Sequence, residues 1–126
     1  MVDEKNNVKL LGFMCDPSEW WRQCEALISR TGFCILTRPS ETVDLTRIYF
    51  RREVHAPIEI SRDRSSSPHS LNAIVNLLIA IAREVNQGKI FKPGERYQVS
   101  WQKGGNAEFT VEQSSEEEVL VIQLAV

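Results

Sequence analysis

Residues 71–85, LNAIVNLLIAIAREV, are the only long apolar run in the chain, and they dictate what the rest must supply. At about 100° per residue, Leu71, Ile74, Val75, Leu77, Leu78, Ile79, Ile81, Ala82 and Val85 spread over an arc of roughly 200° on a helix. A surface helix carries a narrower stripe, so this one needs cover on most of its circumference and forms the spine of a core. Asn72, Asn76, Arg83, Glu84 and Gln87, with Ala73 and Ala80 between them, leave one narrow side for water. Ser67 is placed to act as N-cap, Pro68 suits the first turn, and Gly88 can take the left-handed closing conformation. Leu77 and Ile79, on either flank of Leu78, are where a homodimer or partner contact would form if one chain does not cover the whole arc.

A chain of 126 residues can enclose one sizeable core but not two, so a single domain over residues 1–126 is expected. Hydrophobic residues make up 42% and charged residues 25%, which argues against disorder. A net charge of -2 gives no global reason to bind nucleic acid or an anionic membrane. The start, MVDEKNNVKLL, lacks the pattern of a secretory signal, and the 71–82 run is too short to span a bilayer, so a cytoplasmic protein without membrane contact is expected. Three cysteines, Cys15, Cys24 and Cys34, have no C-x-x-C spacing and read as reduced thiols rather than a disulfide framework or a zinc site.

Along the chain, Val8 to Met14 has strand composition, and Asp16-Pro17 with Glu19 forms a capping-box start for a helix over Pro17 to Arg30. On that helix Trp20, Trp21, Cys24, Leu27 and Ile28 make one apolar stripe, which Gly32 terminates. Phe33 to Thr37 is a short strand. Val43–Arg51 and Val54–Ser61 read as a pair of strands, the first with a bulge or twist near Arg47, the second with Val54, Ala56, Ile58 and Ile60 inward and His55, Pro57 and Glu59 outward. Arg62 to Ser67 is a polar loop into the core helix. Tyr97, Val99 and Trp101, then Ala107, Phe109 and Val111, alternate around Lys103-Gly104-Gly105-Asn106 and predict a hairpin. The final VLVIQLAV is apolar on both faces and reads as an inner strand. The expected fold is therefore α+β, in the order β-α-β-β-β-α-β-β-β: a mostly antiparallel sheet of about six to seven strands, with both helices on one face and the other face open.

No chemistry-bearing motif stands out. Paired carboxylates, G-x-S-x-G, a glycine-rich phosphate loop and H-E-x-x-H are all missing from the sequence, and no cofactor or metal is expected. Cys15, just before a helix start, is the one candidate thiolate, with His55 or His69 as its base. His55, Glu59 and His69 lack a spaced third ligand. The distinctive surface is the expected open sheet face, where Arg47, Tyr49 and Arg51 alternate outward beside His55 and Glu59, since arginine and tyrosine are common anchors of protein interfaces. From Gly104 onward there are five glutamates and no lysine or arginine, an edge that either steers a basic partner or resists aggregation. The function expected is non-catalytic binding of another protein, as an adaptor, inhibitor or immunity-type factor. Two alternatives stand beside it: a nucleic-acid module using the same face with Arg38, Arg52, Arg62 and Arg64, and a small enzyme with a cysteine or histidine site.

Overall fold

The computed structural model describes residues 8–10, 17–102, 105–115 and 118–124, and within these the side chains of 21–101, 105–115 and 118–124. Cys15, the Asp16 cap, residues 11–14 of the first expected strand, the Lys103-Gly104 turn and the C-terminal Ala125-Val126 lie outside the described residues. The elements are β1 (Val8–Leu10), α1 (Pro17–Thr31), β2 (Phe33–Pro39), β3 (Val43–Phe50), β4 (Ile58–Asp63), α2 (Leu71–Asn86), β5 (Arg96–Gln102), β6 (Gly105–Gln113) and β7 (Leu120–Leu124). The strands form one sheet in the order β1-β2-β3-β4-β7-β6-β5, antiparallel except at β1–β2 and β4–β7. The class is α+β, and VLVIQLAV does supply an inner strand.

Helix α2 is enclosed as its wide apolar arc demands. It packs against β2 and β3 and also against β5. Because β2 and β5 lie near opposite ends of the strand order, the sheet must curl around the helix to meet it on both flanks. Leu77, Leu78, Ile81 and Ala82 are fully buried and Ile79 is 5% exposed, so one chain covers the arc, Leu77 and Ile79 included. Each large side chain enclosed in this way contributes about 1.5–3 kcal/mol. Ala73 and Ala80, expected on the wet side, are buried as well, which narrows the solvent strip to residues such as Asn72 and Arg83.

The helix starts later than expected. Ser70 is the N-cap, its Oγ accepting the Ala73 N–H at 3.1 Å. Ser67 instead shapes a turn by accepting the His69 N–H at 3.2 Å, and the Arg62 guanidinium takes the His69 carbonyl at 2.7 Å, which ties residues 67–69 to β4 and keeps them out of the helix. Gly88 closes the other end at φ +98°, in the left-handed region expected of it.

The two helices lie on opposite faces of the sheet, which corrects the expectation that they share one. Phe33 and Ile35 of β2 join the α2 core, whereas Cys34 and Leu36 pack with Cys24 and Leu27 of α1. Neighbouring strand residues point to opposite faces. All four are at most 4% exposed, so β2 is apolar on both sides and needs a helix on each. The element order then has an internal logic that the sequence does not display: αβββ runs twice, and the triplets β2-β3-β4 and β7-β6-β5 meet at the parallel β4–β7 junction. Helices on opposite faces and a parallel central pair are the arrangement a two-fold axis along the strands would produce.

Strand β3 is regular. Its register against β2 and β4 is unbroken, with no bulge near Arg47. The polar residues on its buried side are each satisfied: the Thr46 and Thr37 hydroxyls bond to each other at 3.2 Å, and the Asp44 carboxylate accepts from Arg62 at 2.8 Å and Arg64 at 2.6 Å. These polar contacts replace the change of face that the sequence suggested.

Candidate functional site

The second strand of the expected pair begins only at Ile58, and the preceding stretch is a turn. The Val54 and His55 N–H groups both donate back to the Arg51 carbonyl, at 2.9 and 3.2 Å. Pro57, having no N–H, cannot join a ladder, though its carbonyl accepts the Leu120 N–H of β7 at 2.9 Å. The inward and outward assignments reverse in this turn: His55 is buried at 6% exposure, whereas Val54 and Ala56 are exposed.

His55 therefore does not stand on an open sheet face with Arg47 and Glu59. Its Nε2 accepts the Phe91 N–H at 2.9 Å, and its Nδ1 lies 2.7 Å from the Ala56 carbonyl oxygen. An imidazole that accepts at Nε2 and donates to a carbonyl at Nδ1 is the tautomer protonated at Nδ1. Both nitrogens are used in holding the turn, and the ring packs edge-on against Phe50 and Phe91.

Arg47, Tyr49 and Glu59 do come together, as one network. The Arg47 guanidinium donates to a single Glu59 oxygen at 2.9 and 2.6 Å and to the Tyr49 hydroxyl at 3.2 Å. Burial works against its charge, but the Glu59 and Tyr49 hydrogen bonds outweigh that and raise the guanidinium pKa above its usual value. Tyr49 also meets Trp21 of α1 edge-on, with ring centroids 5.3 Å apart. Arg51 reaches the Ser29 carbonyl of α1 at 2.9 Å. The face expected to be open is thus partly roofed by α1, and its polar residues are largely occupied with one another.

What remains accessible lies at the margin of that roof. A hollow of about 810 Å³ opens between α1 and the turn, with Trp21, Tyr49, Arg51 and Arg52 among its walls. A second, of about 370 Å³, lies on the other side of the same turn and includes Val54, Ile90, Lys92 and Pro93. Arg52, Glu53, His55 and Ala56 belong to both. Among the described residues three large hydrophobic side chains are exposed, namely Trp21, Val54 and Ile90 at 39%, 42% and 59%, and each of them lines one of these two hollows.

The sequence places Arg51 and Tyr49 at this surface, counts Trp21 in the apolar stripe of α1, and gives Ile90 no role. The signal for Ile90 was present: it follows Gly88 and Lys89 in a stretch without periodicity, where nothing in the chain obliges a large apolar side chain to be covered. Cys24 and Cys34 are both fully buried. Among the described residues no group of three or more His, Cys, Asp or Glu side chains is placed to hold a metal, and no helix is long and apolar enough to cross a membrane. No protein-family model, curated protein or solved structure matches the chain.

Proposed function

We propose that this chain is a non-catalytic binding factor for another protein, of the adaptor, inhibitor or immunity type, and that it holds its partner on the two hollows flanking turn 51–57. The observation that carries the reading is the placement of Trp21, Val54 and Ile90. Single exposed apolar residues are ordinary on a protein surface, whereas a set of them gathered around concave ground and rimmed by arginine, lysine and glutamate has the composition of an interface. Tryptophan, tyrosine and arginine are the residues most often found at energetic centres of such interfaces. Trp21, Tyr49, Arg51 and Arg52 supply all three types in one hollow.

The nucleic-acid alternative is less well supported, because these arginines are engaged within the fold: Arg47 pairs with Glu59, and Arg62 and Arg64 share the Asp44 carboxylate. An enzyme built on His55 would have to free a ring nitrogen that the turn uses.

The test is quantitative affinity capture from native lysate, with nuclease present, comparing the wild-type protein with the Trp21→Ala/Val54→Ser/Ile90→Ser variant. Substitution at exposed Val54 and Ile90 should change folding stability little, whereas Trp21→Ala gives up the edge-on Tyr49 contact, about 0.5–1.5 kcal/mol, so the urea midpoint of the variant is measured alongside. A protein retained near stoichiometrically by the wild type and lost from the variant supports the reading. Equal retention by both proteins overturns the placement of the surface.

A further inference from the structure

We infer that β5 is a self-pairing edge, through which two copies of this chain join antiparallel about Val99 into one continuous sheet. This inference is independent of the partner-binding reading. Strand β5 ends the sheet order and, among the described residues, has β6 as its one neighbour, so the backbone N–H and C=O groups of alternate residues along Arg96–Gln102 face outward. At the opposite end, three residues of β1 are among those described.

Edges of this length usually carry a charge, a proline or an early bulge that deters pairing. Here the central residues, Tyr97 to Ser100, have neither charge nor proline, Arg96 stands at one end, and the break in register against β6 comes at the other, between Ser100 and Gln102. The choice of a second copy as occupant follows from the strand's own pattern. Antiparallel pairing centred on Val99 sets Tyr97 opposite Trp101 of the second copy, Gln98 opposite Ser100, and Arg96 opposite Gln102. Each match occurs twice by symmetry, and no charge meets its like. A self-complementary patch of this kind is what a two-fold interface requires.

The aromatic half of the match is already set in place. Tyr97 is held through its hydroxyl, which donates to Glu95 at 2.6 Å and accepts the Lys92 N–H at 2.7 Å, and Trp101 donates from Nε1 to the Ala73 carbonyl at 3.1 Å. Both rings pack on the main core yet remain partly exposed. Directly opposed side chains of an antiparallel pair approach to about 5 Å, where aromatic pairs are favourable. Pairing would therefore close the core at the margin where it is left open.

The test is the mass in solution by light scattering or sedimentation at tens of micromolar protein. The wild type is expected at twice the chain mass of 14.4 kDa. Gln98 and Ser100 are exposed and oppose each other, so Gln98→Lys/Ser100→Lys should give a monomer by setting lysine against lysine, and Gln98→Glu/Ser100→Glu should do the same with glutamate. Mixing the two variants should restore the doubled mass, since each lysine then meets a glutamate. A wild-type monomer overturns the inference, as does a dimer that both variants leave intact. Recovery on mixing distinguishes strand pairing from a mere loss of folding.

Discussion

The Phe91 N–H donates to His55 Nε2 at 2.9 Å, and this one bond joins the turn after β3 to the segment after α2 across 36 residues of sequence. Val54 and Ile90, two of the three exposed apolar side chains, are the residues immediately before its two ends. The buried imidazole thus sets the spacing of an exposed surface. His55→Ala leaves a buried N–H without its acceptor and should cost about 1–3 kcal/mol, read as a lowered urea midpoint. His55→Gln, whose carbonyl can reach toward Phe91, should recover part of that loss. If alanine and glutamine are equally harmful, the hydrogen bond is not what the ring contributes.

Asp44 clasps β3 to β4 and to the loop that follows. Removing its carboxylate strands two guanidiniums, so Asp44→Ala should cost about 2–3 kcal/mol, less than for a fully enclosed pair because the Arg62 and Arg64 side chains keep 18% and 36% exposure. Arg64→Ala, at the more exposed end, should cost under about 1 kcal/mol. Denaturant titration of both variants checks the order. A larger loss from Arg64→Ala would contradict this account of the clasp.

Gly32 ends α1 at φ +95°, and a Cβ there would stand 2.9 Å from the Asn86 Oδ1 of α2. Two separable penalties of unequal size are therefore expected in Gly32→Ala. The left-handed backbone alone costs a residue with a Cβ about 1–2 kcal/mol, and the Asn86 contact adds little to it, because the atom met is the end of an exposed side chain that can turn away. Adding Asn86→Ala to Gly32→Ala should relieve the contact and leave the backbone cost in place. A double variant as stable as the wild type would mean that the backbone term is negligible.

Cys24 and Cys34 face each other beneath α1. The hydrogen bond that the Cys24 thiol donates to Cys34, followed by burial, pushes the Cys24 pKa well above its usual value, which removes the reactive thiolate at neutral pH. Iodoacetamide should leave both residues unmodified in the folded protein and label both after unfolding, as read by peptide mass spectrometry. Rapid labelling of Cys24 under native conditions would show that α1 opens from the sheet.

The parts of this fold legible in the sequence were those where one physical pattern dominates. The 71–85 run announces a buried helix, and the alternation through Val99, Ala107, Phe109 and Val111 announces a one-sided hairpin. The stretch Phe33–Leu36 was harder, because four consecutive apolar residues do not reveal that the two faces serve different helices; that choice is made by the topology. Residues 54–57 read as strand because Val54, Ala56 and Ile58 alternate correctly, yet they belong to the turn. Only the tertiary hydrogen bond from Phe91 explains why the histidine is buried and its neighbours are exposed. The site followed the same division: Arg47, Tyr49 and Glu59 converge as their strand positions implied, whereas the Val54 and Ile90 surface joins residues far apart in sequence.

The most direct test of the proposed surface is site-specific photocrosslinking in the native lysate. A photoreactive side chain is placed in turn at Val54, at Ile90 and, as controls, at exposed Asn72 on α2 and exposed Glu108 on β6. The account predicts a covalent adduct to the same protein from Val54 and Ile90 and none from Asn72 or Glu108. No adduct at Val54 and Ile90, or equal yields at all four positions, would contradict it.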